Sequence, residues 1–254
     1  MEEKIPLTIE EKQAIIFDEL KDVDKFCREN NIRYSIAYGT LLGAIRHGGF
    51  IPWDDDADIC MLREDYDRFV STYKSAKYHM LQYCHNSKEK EIFFNGYLKI
   101  NDPTTYIETD QNLIKYGVAI DIFPLDSVPE DKVERHKYNH KIRSLNNRLY
   151  HRHKKDPISI IKSYRHSIDK WWELLNSALH EEKYKDSPIV TQFFCATEDE
   201  VILRKNLFDE LIDIPFNGYN LLGFKDYHNY LVASYGEDYM VPRHWAQNFT
   251  IYRK

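Results

Sequence analysis

Pro52-Trp53-Asp54-Asp55-Asp56-Ala57-Asp58-Ile59-Cys60-Met61-Leu62 sets four carboxylates within five positions and follows them with an unbroken apolar run. Side chains alternate along an extended strand, so Asp56 and Asp58 project from the same face, one pleat apart. Two like charges that close repel strongly unless a cation lies between them. The apolar run is able to bury the strand, which puts the acids at the end of a buried element and not on a surface loop. An oxygen-only donor set suits a hard cation such as Mg2+ or Mn2+; Mg2+ takes one or two carboxylates and leaves its other positions to substrate phosphates and water. Asp54, Asp56 and Asp58 also match the first three ligand positions of a calcium loop, but the match then fails. Ile59 stands where glycine is needed and Asp65 where a bidentate glutamate should be. The bland alternative, a solvated acidic turn, is disfavoured by the apolar strand behind and the glycine turn ahead.

Upstream, Thr8 and Glu11 form a capping-box signature, and the stripe Ile9, Ile16, Leu20, Val23 and Cys27 predicts a helix over about 9–29, stopped by Asn30-Asn31. Tyr34–Tyr38 reads as a short strand. Gly39-Thr40 then turns into a helix over Leu41–Arg46 that Gly48-Gly49 ends. A glycine closing a strand lets a phosphate approach the backbone, and the helix opening at Thr40 aims free N–H groups and its positive end at an anion. The turn is neither a Walker loop nor a GxGxxG fingerprint. Arg46, at the end of the short helix, and Lys99, interrupting an apolar strand, are candidate phosphate partners. His47 and Trp53 flank the acids and are placed to shape or stack on a nucleotide.

Downstream, a helix through Tyr66, Phe69, Val70 and Tyr73 is expected, then strands around 78–84, 92–100 and 117–123, the last two separated by a turn at Asn101-Asp102-Pro103. Asp121 interrupts the run Gly117-Val118-Ala119-Ile120-Asp121-Ile122-Phe123-Pro124. A buried aspartate is costly unless it is paired, hydrogen-bonded or metal-bound. Beside the Asp56–Asp58 strand it would complete a three-carboxylate cluster, which can hold two metal ions across an in-line displacement; capping a neighbouring backbone is the plain alternative. From Pro129 the pattern becomes charged and helical through 130–182, and one more helix, Lys225–Tyr235, is stopped by Gly236.

The chain of 254 residues is long enough for a substantial core, and its net charge of −6 argues against a nucleic-acid partner. Basic residues crowd between Lys132 and Lys170 as a solvated helical face or, more sharply, a surface for anionic lipid or a polyphosphate acceptor. Cys27, Cys60, Cys84 and Cys195 form no CxxC pair and read as buried thiols of a reducing compartment. No apolar stretch reaches the ~20 residues of a membrane span, and the polar N-terminus lacks a signal-peptide core. Cytoplasmic residence follows as the expectation, with peripheral contact at the inner face of the membrane. His136, His140, His151 and His153 lack zinc-site companions.

The run from Tyr38 to Ile59, with Gly39-Thr40, Arg46-His47-Gly48-Gly49 and Pro52-Trp53-Asp54-Asp55-Asp56-Ala57-Asp58, resembles the signature of the LicD family of phosphocholine transferases, related to the fukutin-type ribitol-phosphate transferases. Leu98-Lys99-Ile100 before Pro103-Thr104, Asp121-Ile122-Phe123-Pro124-Leu125-Asp126 and Tyr235-Gly236-Glu237-Asp238-Tyr239-Met240 fit the same family. Phe224 and the inserted Glu237 depart from it. The resemblance implies an α+β fold in one domain. A nucleotidyltransferase-like mixed sheet flanked by helices would occupy about 9–128, a helical insertion about 129–185, and the rest of the catalytic domain about 186–254. It makes Gly39-Thr40 the phosphate turn and Asp56, Asp58 and Asp121 the metal ligands, with Asp54 or Asp55 as general base. It implies phosphocholine transfer from CDP-choline to a sugar hydroxyl of teichoic acid, lipopolysaccharide or capsule, the acceptor lipid-linked. Transfer of ribitol phosphate, glycerol phosphate or a nucleotidyl group, and a non-catalytic nucleotide- or glycan-binding module, are the alternatives.

Overall fold

The computed structural model describes residues 5–81, 96–107, 116–154, 166–193, 202–244 and 250–253. Cys84, Cys195 and the expected strand positions 82–84 and 92–95 lie outside them. Helix α1 (Ile9–Glu29) starts at the expected capping box: the Thr8 hydroxyl accepts from the Glu11 N–H at 3.2 Å, and the Glu11 carboxylate accepts from the Thr8 N–H at 2.9 Å. Strand β1 (Ser35–Ile36), helix α2 (Tyr38–His47), strand β2 (Ala57–Leu62) and helix α3 (Arg63–Thr72) follow. Next come β3 (His79–Leu81), β4 (Leu98–Asn101), β5 (Thr105–Ile107) and the long β6 (Ala119–Ser127). Helices α4 (Lys132–Lys154) and α5 (Ile168–Leu179) precede the short strands β7 (Ile189–Thr191) and β8 (Ile202–Arg204). The chain closes with the hairpin β9 (Leu211–Phe216) and β10 (Tyr219–Phe224), helix α6 (Tyr227–Tyr235) and strand β11 (Ile251–Arg253).

The sheet order is β1-β2-β6-β4-β3, with β7 and β8 continuing from the far end of β6. Only β2 and β6 run parallel among these pairs; their neighbours are antiparallel, which makes the expected mixed sheet of an α+β protein. Ile59, Met61, Leu98, Ile120 and Ile122 are fully buried along its centre. Each such side chain contributes roughly 1.5–3 kcal/mol relative to exposure. Helix α1 covers one region of the sheet with Ile16, Leu20, Val23 and Cys27, as its stripe predicts.

Helices α4 and α5 build a second apolar cluster around Tyr138, Ile142, Leu149, Trp171 and Leu175. The basic residues of α4 are in part tied down: Lys141 pairs with Glu181, and the Arg148 guanidinium lies over Trp171 at 5.2 Å from its ring centroid. Cys27 and Cys60 are buried free thiols, as expected.

Two differences from the sequence reading bear on the site. The expected strand over Tyr34–Tyr38 is cut to two residues, because α2 begins at Tyr38 and not at Leu41. Tyr38 holds a φ of +43°, a strained conformation for a tyrosine, and its N–H donates to the Tyr230 hydroxyl at 3.2 Å. The β9–β10 hairpin was not anticipated, although Asn217-Gly218 is a strong hairpin signal; both residues have positive φ. Its turn docks on the end of α2, where the Asn217 N–H donates to the Gly48 carbonyl at 2.9 Å and Gly48 caps the helix at a φ of +71°.

Candidate active site

Parallel pairing of β2 with β6 sets Asp58 directly beside Asp121, and antiparallel pairing of β4 with β6 sets Lys99 on the other side of Asp121. Three charged side chains thus lie in a row across three central strands, near the N-terminal ends of β2 and β6. Asp56 sits one residue before β2, Asp58 and Asp54 are half-buried, and Asp121 is buried. The Asp54 and Asp56 carboxyls are within hydrogen-bonding reach of each other.

Helix α1 braces the acidic loop. Gln13 donates its amide to the carbonyls of Ile51 (3.1 Å) and Asp54 (2.8 Å), and the buried Lys12 ammonium pairs with Asp55 at 2.8 Å. Asp55 is therefore held by a structural partner, whereas Asp54 faces the other acids. Gly39 makes room for this arrangement: a Cβ there would lie 2.7 Å from Asp54 Oδ2. Thr40 is in the first turn of α2, and its hydroxyl accepts the Asp58 N–H at 2.8 Å. The expected turn thus meets the acidic strand directly, through the Thr40 side chain.

The Lys99 ammonium, a candidate phosphate partner, pairs with Asp121 and lies over the rings of Tyr97 (5.6 Å) and Tyr116 (5.0 Å). Burial works against this ammonium, but Asp121 and the two phenols hold it protonated beyond the ordinary lysine range. Burial pushes the Asp121 carboxyl up to about 6 against the pull of Lys99. Burial, then the charges of Asp56, Asp121 and Asp54, drives Asp58 well above the usual carboxylate range. Burial and Asp56 raise Asp54 to about 8, and burial also raises Asp56.

Arg46, in the last turn of α2, donates to the Tyr239 carbonyl at 3.1 Å, and burial lowers its pKa. His47 is exposed and lies edge-on to Trp53 at 6.3 Å, and the other ring beside Trp53 is that of His244, stacked at 4.1 Å. Partial desolvation of the ring and the charge of Arg46 hold His47 below its ordinary pKa. Tyr235, at the end of α6, was not singled out from the sequence as a site residue. Burial, then the charges of Asp58, Asp54 and Asp56, holds its phenol protonated, which places it against the same cluster. Lys12 was also missed, though a lysine inside the apolar stripe of α1 was a readable signal.

Among the described residues, no group of three or more His, Cys, Asp or Glu side chains closes on one metal position. The donor chemistry nevertheless fits a hard divalent cation. Asp54, Asp56, Asp58 and Asp121 are all oxygen donors, each raised by burial, and Asp54 and Asp58 are raised further by their neighbours' charges. A cation among them removes that repulsion. A cavity of about 230 Å³, lined by Arg63, Asp126, His180 and Lys205, lies at the C-terminal ends of β2 and β6. Four residues of strand, roughly 13 Å, separate that end from Asp58, so it is not part of this constellation.

Residues 31–154 match the family model described as LicD/FKTN/FKRP, nucleotidyltransferase domain. The chain is 38% identical over 129 residues to the lipopolysaccharide cholinephosphotransferase LicD of Haemophilus influenzae, an alignment covering 49% of this chain and 47% of that protein. Shorter stretches, 62 and 54 residues, are each 48% identical to uncharacterized proteins of Rickettsia typhi and Rickettsia prowazekii. These cover 24% and 21% of this chain and 20% of each relative, so the chain spans less than half the length of the curated relatives it matches. Among the described residues no helix is long and apolar enough to cross a membrane.

Proposed function

We propose that the protein is a metal-dependent phosphotransferase that moves phosphocholine from CDP-choline to a sugar hydroxyl of a cell-surface glycan and releases CMP. The observation that carries this reading is the register of β2 with β6, which brings Asp58 and Asp121 side by side with Asp54 and Asp56 at the same strand ends. The Haemophilus relative, named for cholinephosphate transfer to lipopolysaccharide, supports the choice of transferred group. Mg2+ or Mn2+ held by Asp56, Asp58 and Asp121 would supply charge neutralisation to the donor's pyrophosphate.

The chain's own residues carry the remaining work. The acceptor oxygen bonds to the choline-bearing phosphorus as the bond from that phosphorus to the CMP oxygen breaks, and the bonding electrons leave with CMP. Asp54 takes the hydroxyl proton; Asp55, held by Lys12, is the poorer candidate. Lys99 fixes Asp121 and its charge without gripping the donor. Arg46 stabilises charge on the phosphates, Gly39-Thr40 seats the acidic loop, and His47 and Trp53 border the nucleotide. A lipid-linked acceptor at the inner face of the membrane completes the reading.

The test is CMP release from CDP-choline, CDP-ribitol and CDP-glycerol with Mg2+, Mn2+ or EDTA. Release from CDP-choline that needs the metal and disappears in Asp58→Ala is expected. Release from CDP-ribitol or CDP-glycerol alone would reassign the transferred group, and tight nucleotide binding without any release would make the protein a binding module.

A further inference from the structure

Behind Arg46 lies a cavity of about 210 Å³, walled by Arg46 of α2, Ser234 and Tyr235 of α6, and Tyr239 and Arg243 of the segment that follows. Its electrostatics are unbalanced. Arg243 is paired with Asp238 at 2.5 Å, but among the described residues Arg46 has no carboxylate partner. The contacts of its guanidinium are the Tyr239 carbonyl and, at 3.4 Å, the His47 ring. A half-buried guanidinium with spare donors is costly unless an anion joins it. The Ser234 hydroxyl is buried with no hydrogen-bond partner among the described residues, and Ser234 lines the same cavity. Tyr235 forms a wall shared with the acidic cluster, because its phenol lies in the field of Asp54, Asp56 and Asp58 as well as that of Arg46.

Size and charge together narrow the occupant. The cavity is smaller than the ~300 Å³ at which sites for whole small molecules begin. A nucleotide would enter it by one end only. Arg46 repels a trimethylammonium group, so the choline head belongs elsewhere. Guanidinium and hydroxyl donors suit phosphate oxygens. The phosphorus that reacts must stand at Asp54 and Asp58, which leaves the next anion position for the phosphate that departs.

We propose that this cavity binds the nucleoside-monophosphate phosphate of the donor, with Arg46 and Ser234 as its donors and Tyr235 as the wall between the departing phosphate and the carboxylates. The assignment rests on the transfer reaction proposed above and adds Ser234, Tyr235, Tyr239 and Arg243 to its site.

Calorimetric titration with CMP in EDTA tests it, with cytidine as the phosphate-free control. Wild-type protein is expected to bind CMP without metal. Arg46→Gln should weaken CMP at least about tenfold, as losing a charged hydrogen bond does, while leaving cytidine unchanged. Ser234→Ala should weaken CMP by a few-fold (about threefold, for a neutral donor to phosphate), and Arg46→Lys should restore part of the loss. Wild-type CMP affinity in a folded Arg46→Gln protein, or no CMP binding by the wild type in EDTA, would overturn the proposal. The two readings separate cleanly. Arg46-dependent CMP binding in a protein that never releases CMP from CDP-choline would support the cavity and refute the transfer reaction. Metal-dependent release with CMP affinity indifferent to Arg46 would do the reverse.

Discussion

Replacing Asp58 by asparagine should stabilise the metal-free protein at pH 8 while abolishing its response to divalent cations. Asn is isosteric with Asp, and the backbone bonds at this position survive: the Asp58 N–H to Thr40 and the Ala37 N–H to the Asp58 carbonyl, at 2.8 and 2.9 Å. What changes is charge. Neighbouring strands lie about 5 Å apart, and two unit charges at that distance interact by roughly 3 kcal/mol at an effective dielectric constant of 20. Asp58 faces Asp121 at this spacing, with Asp56 and Asp54 also near, while Lys99 offsets part of the repulsion. A net gain of about 2 kcal/mol is expected once the opposing Lys99 attraction is subtracted, or roughly 4–8 °C in Tm for a chain of this size.

The pH dependence has a defined sign. Asp58 has a folded-state pKa above its unfolded one, as do Asp54 and Asp121, raised to about 8 and about 6. Such carboxyls destabilise the fold when ionised, and the penalty disappears as pH falls through the folded pKa toward the unfolded one. The metal-free wild type should therefore gain stability between pH 8 and pH 5, and its difference from Asp58→Asn should shrink over the same interval. Thermal unfolding of both proteins at pH 8 and pH 5, in EDTA and in Mg2+, measures all of this. Mg2+ at about 100 times its Kd should stabilise the wild type by about 2.7 kcal/mol and leave the variant unmoved. A variant less stable than wild type in EDTA at pH 8 would refute the charge argument, and an equal Mg2+ response in both would remove Asp58 from the metal site.

Gly39→Ala should cut CMP release at least about tenfold by displacing Asp54 and leave Tm within a few degrees, because the new methyl meets a carboxylate oxygen and not the core; kcat/KM and Tm measured together check this. His180 presents Nδ1 to the Asn176 carbonyl and Nε2 to Asp67, both at 2.8 Å, so both ring nitrogens carry protons and the bond to Asp67 raises its pKa. Its stabilising contribution should be complete below pH 6.5 and be lost as pH rises through the folded value. An NMR titration of the ring showing a pKa below 6.5, or an unchanged stability profile in His180→Gln, would contradict this.

Much of the site was readable because it is local. Four acids in five positions, an apolar run and a glycine turn are statements about neighbours in sequence, and strand alternation alone aligns Asp56 with Asp58. The capping box of α1 and the glycine end of α2 were legible for the same reason. The start of α2 was not. Nothing between Tyr34 and Tyr38 announces a helix opening at Tyr38, because that opening depends on the Tyr230 hydroxyl, 192 positions away.

The sequence by itself picked out the candidate residues: an oxygen-rich strand end, a second buried aspartate at Asp121, and a long stretch that resembles a family signature. Tertiary structure decided how they are used. Registry of β2, β6 and β4 made Lys99 the partner of Asp121, and burial of Lys12 assigned Asp55 to bracing. Packing of α6 against α2 brought Tyr235 between the acids and Arg46. Charge pairing across strands depends on distances between residues far apart in sequence, and only folding sets those distances.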